Sequence, residues 1–363
     1  MISSDIIFML VKVVLVLGAL LTTVPIMIFT ERRGSALIQN RLGPNRIGPL
    51  GFFQTIADAL KFMFKEDVPP GHVNKFYYTI APWICVIPAF MTFAVIPFAG
   101  SIVLSGKEYV FQVANLDVGI LYCFSIASLG VYGIMMAGWS SNNKFSLLGA
   151  LRSSAQMISY ELTLGLSIVG LVMTFSSVKL GDIALAQGET LITIVGVNIP
   201  RWGVIIQPVG FILFLISIFA ETNRLPFDLP EGEAELIAGY HLEFGSMRFA
   251  LFMMAEFVNV TVASALISTL FFGGWQLLPF FGYLAHAVYG LGIIENESIV
   301  TALFQAFSFV LKMAFFMWFF VWVRWTVPRF RFDQLMNFGW KVLLPIALLN
   351  VFVTGLLIYE GVL

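Results

Sequence analysis

The chain is 363 residues long, 59% hydrophobic and only 11% charged, against about 25% charged residues in a soluble domain. So much apolar surface exceeds what one aqueous core of this length encloses, which excludes an ordinary soluble enzyme and makes lipid the solvent. A net charge of −1 excludes nucleic acid as a partner.

Taken in chain order, eight stretches are apolar enough and near the roughly 20 residues that a span requires: 5–30, 77–100, 117–139, 153–175, 204–221, 249–272, 301–326 and 340–360. The first lacks a basic leader and is too long for a cleaved signal, so it reads as a span. After it comes the loop 31–76. Gly43, Pro44, Asn45, Gly48 and Pro49 specify consecutive tight turns there, ringed by Arg32, Arg33, Arg41 and Arg46. From Leu50 to Lys65, Phe53, Ile56, Ala57, Leu60 and Phe64 fall on one helical face, with Gln54, Asp58, Lys61 and Lys65 on the other. Too short and too charged to cross, this segment is expected to lie along the membrane surface. Two weaker stretches, 183–199 and 275–294, sit in loops and read as short surface or re-entrant helices.

Charge fixes orientation and marks candidate chemistry. Loops 31–76, 140–152, 222–248 and 327–340 hold most of the 20 Lys and Arg, while Lys107, Lys179 and Arg201 lie on the other side. The positive-rich loops therefore face the cytoplasm or matrix, and both termini face outward. Inside spans, an ionised side chain costs at least about 2.5–3.5 kcal/mol. Glu161 and Glu256 interrupt two spans, Glu221 closes a third, and Lys12 and Lys312 enter two more. The acids suggest a polar line through the bundle, against the alternative of plain interhelical ion pairs. The lysines lie near span ends or are placed to snorkel. The loop 222–248 carries Asp228, Glu231, Glu233, Glu235 and Glu243 with Arg224 and His241, interleaved with residues that want burial, and Pro226 and Pro230 bend it. A folded loop of this kind couples the titrations of its acids.

Other chemistry is excluded on residue type. Cys85 and Cys123 sit in apolar runs and read as buried hydrophobes, so the chain holds no iron–sulfur cluster by itself. His72, His241 and His286 do not sit mid-span, which argues against a haem with two axial histidines. No Gly-rich phosphate loop precedes a helix.

Four segments resemble the H subunit family of proton-translocating NADH–quinone oxidoreductase (respiratory complex I; subunit one in mitochondria). They are ERRGSALIQNRLGPNRIGPLGFFQTIADALKFMFKED at 31–67, GWSSNNKFSLLGALRSSAQMISYE at 138–161, ETNRLPFDLPEGEAELIAGYHLEFGSMRFALFMMAEF at 221–257, and WVRWTVPRFRFDQLM at 322–336. The resemblance runs through nearly the whole chain. It implies a single integral membrane domain, an all-α bundle of eight transmembrane helices plus one amphipathic surface helix, at the junction of a hydrophilic and a membrane arm. It implies that Glu31, Arg32, Asp58, Arg152 and Arg324 line or flank a quinone tunnel. It also implies that Glu161, Glu221, Asp228, Glu231, Glu233, Glu235 and Glu256 form a proton path. Quinone is then the substrate, flavin and iron–sulfur clusters belong to partner subunits, and this chain is inactive alone. Its partners are the other membrane-arm and quinone-site subunits and the lipid bilayer. The expected place is a bacterial inner membrane, with a mitochondrial inner membrane as the alternative. Two other readings stay open: a related membrane anchor of a hydrogenase or ferredoxin-linked complex, and a stand-alone secondary transporter, for which no sequence repeat is visible. No chemistry is assigned to loops 176–203 and 273–300.

Overall fold

The computed structural model describes residues 4–104, 107–194, 197–228, 237–278, 281, 282, 284, 289 and 297–361. The chain folds almost wholly as helices: α1 (Ser4–Ile38), α2 (Gln54–Phe64), α3 (Lys75–Phe93), α4 (Gly119–Ala127), α5 (Leu129–Ser140), α6 (Lys144–Phe175), α7 (Leu180–Ala186), α8 (Gly203–Ile206), α9 (Pro208–Glu221), α10 (Ser246–Phe271), α11 (Glu297–Thr326), α12 (Phe332–Phe338) and α13 (Leu344–Tyr359). Among the described residues, seven helical stretches are long and apolar enough to cross a membrane, α4 with α5 and α12 with α13 each counting as one.

The eighth expected span is shorter than the rest. Within 204–221, Pro208 has no N–H to donate, and the helix restarts there. A four-residue turn, α8, is thus separated by Gln207 from α9, an apolar helix of 14 residues. Gln207 is buried at this break and donates from Nε2 to Thr354 Oγ1 on α13 (3.0 Å).

Burial sorts the helices. In α10, 72% of the most apolar window is buried, against 11% in α1. The central place of α10 follows from its composition. Small and hydroxylated residues let neighbours approach, and Thr261, Ser264, Ser268 and Thr269 return their hydroxyls to carbonyls one turn back, so these side chains leave no polar group for lipid. Helices α3 and α11 pack on it, α6 packs on α5 and α9, and α13 packs on α6.

The surface segment is helical from Gln54, preceded by a 3-10 turn at Pro49–Gly51. Gly51 has φ 81° with the Pro44 backbone against it, so only glycine suits the position. Ile56, Leu60 and Phe64 remain exposed, as a lipid-facing stripe requires.

Two small structures were not foreseen. Ser101–Leu104 (β1) pairs antiparallel with Lys107–Val110 (β2), and Thr190–Ile194 (β3) with Val197–Pro200 (β4). The stretch 183–199, expected as a helix, is thus α7 followed by a hairpin. Most of 279–296 lies outside the described residues.

Candidate functional site: an ion-pair chain beside buried carboxylates

The loop after α9 turns inward. Gln156 of α6 donates from Nε2 to Ala220 O at the end of α9 (2.8 Å) and to Phe227 O (2.7 Å), while Phe330 N donates to Pro226 O (3.2 Å). These bonds draw Arg224 and Asp228 out of water, to 4% and 3% exposure.

Arg224 is the hub. Its Nη1 donates to Glu31 Oε2 on α1 (3.1 Å), and its Nε lies 2.8 Å from Glu256 Oε1 on α10. The guanidinium also sits 4.6 Å from the centre of the Phe257 ring. The other oxygen of Glu31 pairs with Arg324 of α11. Arg324, Glu31, Arg224 and Glu256 thus form one chain of alternating charge across three helices and a loop, and mutual pairing is what makes such burial tolerable. Asp228 is held by Arg329 (2.8 Å). Nearby, Arg32 of α1 pairs with Asp58 of α2, whose other oxygen accepts from Gln54 Nε2 (3.1 Å).

Two cavities of about 50 Å³ each lie beside these acids, and the first touches the ion-pair chain at Glu256. Glu221, Asp228 and Glu256 wall the first; Glu161 and Glu221 wall the second; Glu221, Thr222 and Asn259 belong to both. By the roughly 10–15 Å³ that one water occupies on this measure, each has room for a few waters. Glu221 is the shared acid, and its Oε2 is buried with no hydrogen-bond partner among the described residues.

The expected residues therefore gather unevenly. Glu31, Arg324 and Glu256 join through Arg224. Arg32 and Asp58 form a pair at the α1–α2 corner. Glu161, Glu221, Asp228 and Glu256 surround the two cavities. Arg152 stands over the Phe332 ring, 5.0 Å from its centre. Glu231, Glu233 and Glu235 lie outside the described residues. Sequence reasoning missed Arg224 as a ligand of two acids, Arg329 as the partner of Asp228, and Gln156 as the stitch. The signal available was modest: Arg224 is an arginine set among the loop's acids, and Gln156 a polar residue near the head of a span. The two intramembrane lysines do not snorkel. Lys12 and Lys312 both bond backbone carbonyls within the protein.

Fold and site together define a multi-pass helical membrane protein that keeps ionisable carboxylates inside its bundle. Residues 11–355 match the family described as NADH dehydrogenase. The H subunit of NADH-quinone oxidoreductase from Salinibacter ruber is 47% identical over 342 residues, spanning 94% of this chain and 93% of that protein. Subunit 8 of the same enzyme from Rhodothermus marinus is 46% identical across 94% of each chain, and an H subunit from Cytophaga hutchinsonii is 45% identical across 90% of each. The chain belongs to the NADH dehydrogenase family, among the H subunits of NADH–quinone oxidoreductase.

Proposed function

We propose that this chain is a membrane subunit of a proton-translocating NADH–quinone oxidoreductase, forming much of its quinone tunnel and carrying the effect of quinone reduction toward the membrane arm. The observation that supports this best is the chain Arg324–Glu31–Arg224–Glu256. It physically joins residues assigned to the quinone tunnel to residues assigned to the proton path.

The mechanism follows from charge. Reducing a quinone to quinol adds two electrons and two protons, so charge near the headgroup changes during the step. Glu31, Arg32, Asp58, Arg152 and Arg324 orient and sense the headgroup. A change in the pairing of Glu31 alters the field at Arg224, and Arg224 in turn releases or tightens on Glu256. Opposite charges within about 4–6 Å shift each other's proton affinity strongly. Glu256, Glu221 and Glu161 then exchange protons through water in the adjoining cavities, with Asp228, Glu231, Glu233 and Glu235 on the loop side. The flavin and iron–sulfur clusters belong to partner subunits that dock on the cytoplasmic loops, and this chain does no redox chemistry alone. Both termini face the periplasm of a bacterial inner membrane. The names of the relatives favour this reading over a hydrogenase or ferredoxin-linked anchor.

The test is Glu161→Gln in the assembled complex. Coupled quinone reductase activity is expected to fall on the order of a hundredfold, the low end of what a positioned proton-transfer group contributes, with assembly intact. Normal activity and normal proton pumping in this variant and in Glu256→Gln would contradict the proposal.

A further inference from the structure

At the end of the bundle away from the acid cluster lies a cavity of about 420 Å³ that the quinone and proton chemistry does not use. We propose that it is a headgroup site for a zwitterionic phospholipid of the outer leaflet. The volume falls within the roughly 300–1,000 Å³ of small-ligand sites, well beyond what a single ion fills.

The walls are held in place by two lysines that the mechanism leaves without a role, Lys12, which is half-buried, and Lys312, which is buried. Lys12 donates from Nζ to Val110 O (3.2 Å) and Gln112 O (2.7 Å), and both residues line the cavity. On the other side Lys312 donates to the carbonyls of Phe272 (2.9 Å), Gly274 (3.0 Å) and Gln276 (2.8 Å), the turn that carries Trp275 into the wall. A third tie runs from Gly100 N to Gln305 Oε1 (3.0 Å). Gln112 and Trp275 are accordingly rigid wall members, 2% and 8% exposed. Two ammonium groups placed in a membrane-spanning bundle to fix a loop and a turn imply that the space between has a defined shape to keep.

The lining states the ligand's chemistry. Among the described residues it offers one cation, Lys179, and one anion, Asp182, together with amides and the Trp275 indole. Lys179 makes only a loose pair with Asp117 (3.7 Å), and Asp182 accepts a long hydrogen bond from Ser177 Oγ (3.4 Å). A phosphate suits Lys179 and an ammonium suits Asp182, so a group carrying both satisfies both. The site sits where α3 and α10 end and α4 begins, at the level where a span leaves the membrane, and a tryptophan there is the usual interfacial residue. Beside it the outer turns of α1, with Met9, Leu10 and Val14 exposed around Lys12, give acyl chains a surface.

The experiment uses the intact, delipidated complex, titrated in detergent with dioleoyl phosphatidylethanolamine or dioleoyl phosphatidylglycerol, with retained lipid counted by mass spectrometry after washing. The wild type is expected to hold a single phosphatidylethanolamine that the double variant Lys179→Gln/Asp182→Asn binds about tenfold more weakly, on the scale of lost charge-assisted bonds. It is expected to prefer this lipid to phosphatidylglycerol, which offers Asp182 no ammonium. Soluble glycerophosphoethanolamine should not displace the lipid at equal concentration. Equal retention by wild type and variant, no preference between the two lipids, or displacement by the soluble headgroup would each overturn the proposal. If the variant fails to assemble, the lipid preference of the wild type decides.

Discussion

Arg224 receives carboxylates from two helices while 4% exposed. Glu31 and Glu256 both pair with it, and removing one partner of a buried pair costs about 3–5 kcal/mol because the survivors stay charged inside the bundle. Arg224→Ala should therefore lower the melting temperature and yield of the assembled complex, while Arg224→Lys keeps the charge, loses the planar fork and falls between. A melting temperature unchanged by Arg224→Ala would show that the chain of pairs does not stabilise the fold. The sequence could not display this hub. Glu31 is 193 positions from Arg224, and Arg324 is 293 from Glu31. A reading by local spacing saw an arginine beside acids and an acid beside arginines. What it did see was the cost of Glu161 and Glu256 in apolar runs, which is a local property and needs no knowledge of the fold.

At the scale of elements, α2 is joined to its neighbours by few but specific ties. Arg32 reaches it from α1, and Ser246, the first residue of α10, donates from Oγ to Phe62 O (3.1 Å) and Lys65 O (2.7 Å) at its end. The Arg32–Asp58 pair is half in solvent, with side chains 43% and 25% exposed, and such pairs contribute about 0.2–1 kcal/mol. Asp58→Ala should barely move stability. It should raise the quinone KM, or weaken a quinone-site inhibitor, by up to about tenfold, equivalent to one lost contact of about 1.4 kcal/mol. An unchanged KM and unchanged inhibitor sensitivity would remove α2 from the tunnel. The amphipathic pattern of this helix was legible because it is periodic. The hairpins β1–β2 and β3–β4 were not, since mostly apolar strands of four or five residues carry too short a pattern to separate from a short apolar helix. The break at Gln207 was signalled by Pro208, yet hydropathy averages across it.

For the whole molecule, length and composition settled the solvent, and the solvent settled the architecture. With lipid around it, the chain must satisfy its backbone within helices. Burial then ranks the helices: α10 is enclosed, while α1 and α13 leave most of their apolar surface outward, available to lipid and neighbouring subunits. The two ends of the bundle differ in character. One gathers carboxylates around small cavities, and the other holds a larger cavity between loops fixed by lysines.

If buried carboxylates on this subunit carry protons in step with quinone reduction, Glu221 is the residue whose loss shows it. It walls both acid cavities, and Oε2 has no hydrogen-bond partner among the described residues, so the fold gains little from its charge and Glu221→Gln should assemble normally. In proteoliposomes containing the intact complex, protons moved and quinone reduced would be measured together for wild type and variant. A sharp fall in coupled turnover and pumping is expected, with assembly and melting temperature unchanged. Wild-type turnover with a wild-type proton-to-quinone ratio would contradict it.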